Sequence, residues 1–198
     1  MSRSLVVVCS VSPSVWHDNG SIMGMYFMRR GGALLGLVFL GTATSVLADL
    51  FPLRGPTVPG TIAQLRHGVA CAPEKAPVAV KRAIWAANQL RSKPYRYGGG
   101  HASFLDRGYD CSGTVSYALA AAGLLRSPLS SNELTRFGSR GRGKWITVYA
   151  RNGHAFAVIA GLRLDTTAWN SRRDREAPRW QQTFRPPGGF EPRHPVGL

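Results

Sequence analysis

Cys111 stands in the run Asp110-Cys111-Ser112-Gly113, between a glycine-rich stretch and a segment with helical apolar spacing. A cysteine in the first turn of a helix meets unpaired N–H groups and the positive end of the peptide dipoles. Both favour the thiolate, the nucleophilic form of sulfur. The plainer fate of a free cysteine is a small buried hydrophobe. A nucleophilic cysteine needs a base, and the base needs a group to orient it. His154 follows Asn152-Gly153 and opens an alternating apolar run, so it can project from a sheet edge; the competing reading is a surface loop histidine. Asp165 lies on the next alternating run. If Ala160-Gly161 or Gly161-Leu162 forms a two-residue turn, residues 154, 156 and 158 share a face with 163, 165 and 167. Asp165 can then accept the second ring N–H of His154, fix its tautomer and stabilise the imidazolium. A three-residue turn would bring Thr166 to that face instead.

The elements that must hold these residues follow from periodicity. Val80, Ile84, Ala87 and Leu90 predict one helix over 78–90, stopped by Pro94. Tyr95 to His101 then reads as a glycine-rich loop, and a second helix is predicted from Asp110 or Cys111 to Leu124. Alternation predicts strands over 144–150, 154–160 and 162–166, with room for another short one near Phe190. Helices first and strands afterwards predict an α+β domain with an antiparallel sheet.

The whole chain has 198 residues, 44% of them hydrophobic, which allows one compact domain with appendages and excludes a disordered tail protein. Its three cysteines, Cys9, Cys71 and Cys111, are too few and too scattered for a disulfide framework or a zinc knuckle. The five histidines are dispersed, so no metal and no cofactor is expected. Lys and Arg number 25 against 10 Asp and Glu, a net charge of +15, which attracts polyanions in general. No zinc-finger spacing, aromatic-basic RNA motif or basic-helix heptad accompanies that charge, so a nucleic-acid partner is not expected.

Arg29-Arg30 precede an apolar stretch ending at Ala48, with small residues at Ser45 and Ala48. That order describes a secretory signal, and the stretch is short and polar for a membrane span, although an uncleaved anchor is the alternative. Met28 opens a suitable positive segment and is the expected translation start, with Met23 and Met25 as alternatives. Residues 1–48 are therefore assigned to an extension and signal peptide, 49–77 to a Pro/Gly-rich extended lead-in, and 78–198 to the functional domain. The expected location is periplasmic or secreted. Cys71 is then either inert or a partner that could oxidise with Cys111.

Taken in order, Pro94-Tyr95-Arg96-Tyr97-Gly98-Gly99, Tyr109-Asp110-Cys111-Ser112-Gly113 and Gly153-His154-Ala155-Phe156-Ala157-Val158 resemble the NlpC family of papain-like cell-wall cysteine peptidases. The likeness covers roughly residues 78–168. It implies a papain-like core, with N-terminal helices including the nucleophile helix packed on a small antiparallel sheet. It also implies Cys111 as nucleophile, His154 as base and then acid, and a polar third residue on the following strand. That third residue is often histidine in the family; here Asp165 takes the slot, with Thr166 as competitor. Tyr95 matches the family tyrosine near the oxyanion, against a packing role. The implied substrate is the stem peptide of peptidoglycan, hydrolysed by a monomer that approaches an anionic cell-wall surface. The alternatives are an amidase or acyltransferase on the same scaffold and a catalytically inactive envelope-binding domain. His101, between Gly100 and Ala102, is expected to be a solvated loop residue, with lining of the substrate groove as the alternative.

Overall fold

The computed structural model describes residues 50–167, 177–182 and 188–198. The expected signal segment and alternative start lie outside the described residues. Among those described, no helix is long and apolar enough to cross a membrane.

The first elements are β1 (Thr57–Val58), β2 (Gln64–Arg66) and β3 (Val69–Pro73). β3 is the middle strand, parallel to β1 and antiparallel to β2. Its Ala70 and Ala72 lie in the main hydrophobic core with Ala63 and Ala76. The stretch expected to lead up to the domain is thus built into it.

Helix α1 (Val78–Ala87) begins after Pro77, and Val80, Ala83, Ile84 and Ala87 face the core. The helix was expected to reach Leu90 but tightens into a 3₁₀ turn over Asn88–Ser92. The cause is visible at Asn88. Its side-chain amide accepts from Ala70 N at 2.9 Å and donates to Ala70 O at 2.9 Å, binding the helix end to β3. Helix α2 (Cys111–Ala121) is buried along its full length, so tertiary packing outweighs its Gly, Thr and Ser content. It ends three residues before Leu124. Gly123, at φ +76°, closes a Schellman motif in which Gly123 N bonds Ala120 O and Leu124 N bonds Leu119 O. A short helix, α3 (Ser131–Leu134), follows with a Ser130/Glu133 capping box.

Six strands form the second sheet among the described residues: β4 (Ser139–Arg140), β5 (Ile146–Arg151), β6 (His154–Ile159), β7 (Leu162–Asp165), β8 (Arg179–Gln181) and β9 (Glu191–His194). Their order is β4-β9-β5-β6-β7-β8, and every pairing is antiparallel. The mixed helix-and-antiparallel-sheet architecture agrees with the α+β expectation. β5 starts two residues later than expected, β6 and β7 end one residue earlier, and β8 was not foreseen. The strand expected near Phe190 is β9, which inserts between β4 and β5.

Two tight turns set the register that matters. Asn152-Gly153 joins β5 to β6 with Arg151 opposite His154. Ala160-Gly161 joins β6 to β7 with Ile159 opposite Leu162; both turn residues have positive φ, +46° and +89°. The Ala160 carbonyl accepts from Ala63 N at 2.8 Å, which holds a non-glycine residue in that conformation. One sheet face, carrying Ala155, Ala157, Ile159, Leu162 and Leu164, joins α1 and α2 in the core. The other carries His154, Phe156, Arg163 and Asp165.

Candidate active site

Cys111 is the first residue of α2, a free thiol that is only 8% exposed. An oxidised Cys71–Cys111 pair is therefore not what the structure contains. The start of α2 is held by Asp110, whose carboxylate caps the helix and ties it to the preceding loop. Oδ1 accepts from Gly113 N at 2.7 Å and from Ser112 Oγ at 3.1 Å, while Oδ2 accepts from Gly98 N at 3.1 Å. The Thr114 hydroxyl donates to the Asp110 carbonyl at 2.7 Å. Glycine is needed at 113 because a Cβ there would collide with the Gly99 carbonyl oxygen. Behind the loop, Tyr109 is buried against Tyr117 and donates its hydroxyl to Phe104 O at 2.7 Å. The loop before the cysteine is thus tied to the helix by hydrogen bonds and propped by an aromatic cluster.

Tyr95 lies half-buried in this loop, its backbone bridged in parallel to Tyr109, two residues before the cysteine. His101, expected to be solvated, instead packs beside the helix start. Its Nε2 is 3.0 Å from Asp110 Oδ2 and 3.1 Å from Ser112 Oγ.

His154 opens β6 with its side chain 18% exposed. Its Nε2 lies 3.1 Å from Asp165 Oδ1 and 3.2 Å from Thr167 Oγ1. An ionised carboxylate only accepts, so Nε2 carries a proton and Nδ1 is the nitrogen left for Cys111. Burial by itself would lower the His154 pKa. The hydrogen bonds that the ring donates to Asp165 and Cys111, and the negative charge of both, outweigh burial and raise it to about 9. Burial would likewise raise Asp165, but the His154 hydrogen bond and the charges of Arg163 and His154 hold it below the ordinary carboxylate value.

The structure therefore brings Cys111, His154 and Asp165 together. Thr166 is not among the contacts of the imidazole: the two-residue turn puts it on the opposite face, and its backbone N–H donates to Asp165 Oδ1 at 2.7 Å. Three neighbours were missed from the sequence as site residues. Thr167 falls opposite His154 when the β6–β7 register is continued, and was legible as a same-face position. Arg163 alternates with Asp165 along β7 and pairs with its Oδ2. Phe190 sets its ring edge-on to His154 at 5.9 Å and beneath the Arg151 guanidinium at 4.7 Å; no local pattern signals that contact. Chemically, the set supplies a sulfur nucleophile, a proton-carrying imidazole and a carboxylate that fixes the imidazole. Among the described residues no cluster of His, Cys, Asp and Glu could hold a metal ion.

No protein-family model matches the sequence, and no curated protein matches it. Among solved structures, the chain is similar to the peptidoglycan hydrolase RipB from Mycobacterium tuberculosis, at 19% identity and a TM-score of 0.45 over 61% of this chain and 66% of that one. It is also similar to Rv1477, a hypothetical invasion protein of Mycobacterium tuberculosis, at 21% identity and a TM-score of 0.43 over 58% of this chain and 61% of that one. The chain thus spans less than two thirds of the length of either. Neither likeness is close enough to carry an activity over.

Proposed function

We propose that this chain is an exported cysteine peptidase that hydrolyses amide bonds in peptidoglycan stem peptides, on a papain-like core of the NlpC kind. The observation that carries the reading is the contact of Cys111, at the start of α2, with an imidazole whose far nitrogen is held by Asp165. The Cys111 thiolate adds to the amide carbonyl carbon, and the carbonyl oxygen becomes an oxyanion. Gly113 N–H is committed to the Asp110 side chain and Thr114 N–H to its carbonyl, which leaves the Cys111 and Ser112 N–H groups as oxyanion donors, with the Tyr95 hydroxyl as a third. The His154 imidazolium gives its proton to the leaving amine as the C–N bond breaks and a thioester forms. Water, deprotonated by His154, then adds to the thioester, and the acid product leaves as the sulfur is released. Asp165 is the orienting carboxylate throughout.

The arginine-led apolar stretch ending at Ala48 supports export to the periplasm or beyond, and the +15 charge supports approach of a monomer to an anionic wall. The test is digestion of purified sacculi by the wild type and by Cys111→Ala, with identification of the released muropeptides. Stem-peptide fragments released only by the wild type support the reading. Cleavage between glycan and stem reassigns the chain as an amidase. Intact wall together with a thiol inert to iodoacetamide makes it an inactive envelope-binding domain.

A further inference from the structure

Arg163 stands on β7 two residues before Asp165, and the hydrolytic steps make no use of it. Its side chain is 2% exposed, and Nη2 pairs with Asp165 Oδ2. The guanidinium carbon lies 3.9 Å from the centre of the Phe156 ring. Nε and Nη1 are buried with no hydrogen-bond partner among the described residues. An arginine buried this way is a weak device for stability, since an apolar side chain in its place is often as good or better. Among the described residues its hydrogen-bonded contact is the carboxylate that faces the candidate base.

That carboxylate is divided between its two oxygens. Oδ1 takes His154 Nε2 and the backbone N–H groups of Thr166 and Thr167, at 3.1, 2.7 and 3.2 Å, while Oδ2 is left to Arg163. Phe156 falls opposite Asp165 when the β6–β7 register is continued by one pair, and it supplies the π face on which the cation rests. We propose that Arg163 is a positioning residue: stacked on Phe156, it clamps Oδ2 so that Asp165 stays ionised and keeps Oδ1 on the imidazole. The proposal rests on the hydrolase reading only for its catalytic consequence, since the clamp itself is a property of the folded chain.

The charged and titratable groups around Asp165 define the expected sign. His154 faces it from β6 and Arg163 from β7, while Arg179 on β8 is its cross-strand partner; Cys111 on α2 bears on it through His154. Without Arg163, burial is opposed by His154 as the principal remaining cation, so the carboxyl must protonate at higher pH.

The experiment is a carbon NMR titration of the Asp165 carboxyl in the full chain, run beside the pH profile of wall digestion, for the wild type, Arg163→Met and Arg163→Lys. In the wild type the carboxyl is expected to titrate below the ordinary aspartate range. In Arg163→Met its midpoint and the acid limb of kcat should both move up by about 1–3 pH units. Arg163→Lys, which keeps the charge, should restore most of that shift. A wild-type carboxyl titrating at the ordinary value overturns the proposal, as do coincident acid limbs in all three proteins or a lysine variant no different from the methionine one. If Arg163→Met does not fold, Arg163→Gln, which removes the charge but keeps a polar side chain, takes its place in the comparison. If no variant digests wall but the NMR shifts appear, the clamp stands and the hydrolase reading falls.

Discussion

Replacing His154 by glutamine exposes how strongly the folded chain favours the imidazolium. In the folded protein His154 titrates at about 9 against an ordinary value of 6.5. At about 1.36 kcal/mol per pH unit, that interval corresponds to on the order of 3 kcal/mol of differential stabilisation. The folded state binds the proton more tightly than the unfolded chain. The stabilisation is therefore fully present below pH 6.5 and is lost as pH rises through about 9. Urea unfolding of the wild type and His154→Gln, repeated between about pH 6 and about pH 10, reads this contribution together with that of its coupled partners Asp165 and Cys111, because the remaining ionisations are common to both proteins. The stability advantage of the wild type should shrink by about 3 kcal/mol across that range, with unchanged m-values. An advantage that stays level between pH 6.5 and 9 would refute the attribution of the raised value to Asp165 and Cys111.

Asp165→Asn should lower wall-digesting kcat by on the order of 10²–10⁴ by loosening the imidazole, and should cost about 3–5 kcal/mol in urea unfolding because Arg163 is left as an uncompensated buried charge. The same variant should bring the His154 NMR midpoint down from about 9. Tyr95→Phe should reduce kcat by about 10²–10³ with little change in KM if its hydroxyl meets the oxyanion; an unchanged kcat would return Tyr95 to a packing role. Gly113→Ala, whose methyl would meet the Gly99 carbonyl, should destabilise the protein by about 1–3 kcal/mol and slow alkylation of Cys111 as the glycine loop shifts off the helix start, both measurable without substrate.

Much of the site was legible because the signals that build it are local. Asp110 before Cys111 is a helix cap, and the cap fixes where α2 starts and hence where the sulfur sits. Asn152-Gly153 and Ala160-Gly161 are short turns, and turn length dictates which side chains of β6 and β7 share a face. Asp165 rather than Thr166 follows only once the Ala160-Gly161 turn is seen to hold two residues, a point the sequence left open. Helix ends were less legible because distant partners set them: Asn88 is drawn to Ala70, eighteen residues away. Likewise, Pro and Gly between 49 and 77 read as an extended lead-in, although small alanines there could close onto α1.

What the sequence by itself determined was the candidate residues and their local settings: a cysteine at a helix start, a histidine after a tight turn, and two side chains, Asp165 and Thr166, either of which a turn of the right length would bring to it. Tertiary structure alone decided the surroundings. It slid β9 between β4 and β5, turned His101 onto Asp110, and buried Arg163 against Phe156, where the alternation of Leu162-Arg163-Leu164-Asp165 had indicated only its face. The physical reason is range. Caps and turns depend on backbone groups a few residues apart, whereas the burial of a charge depends on which remote aromatics cover it, and that is settled only when the sheet closes.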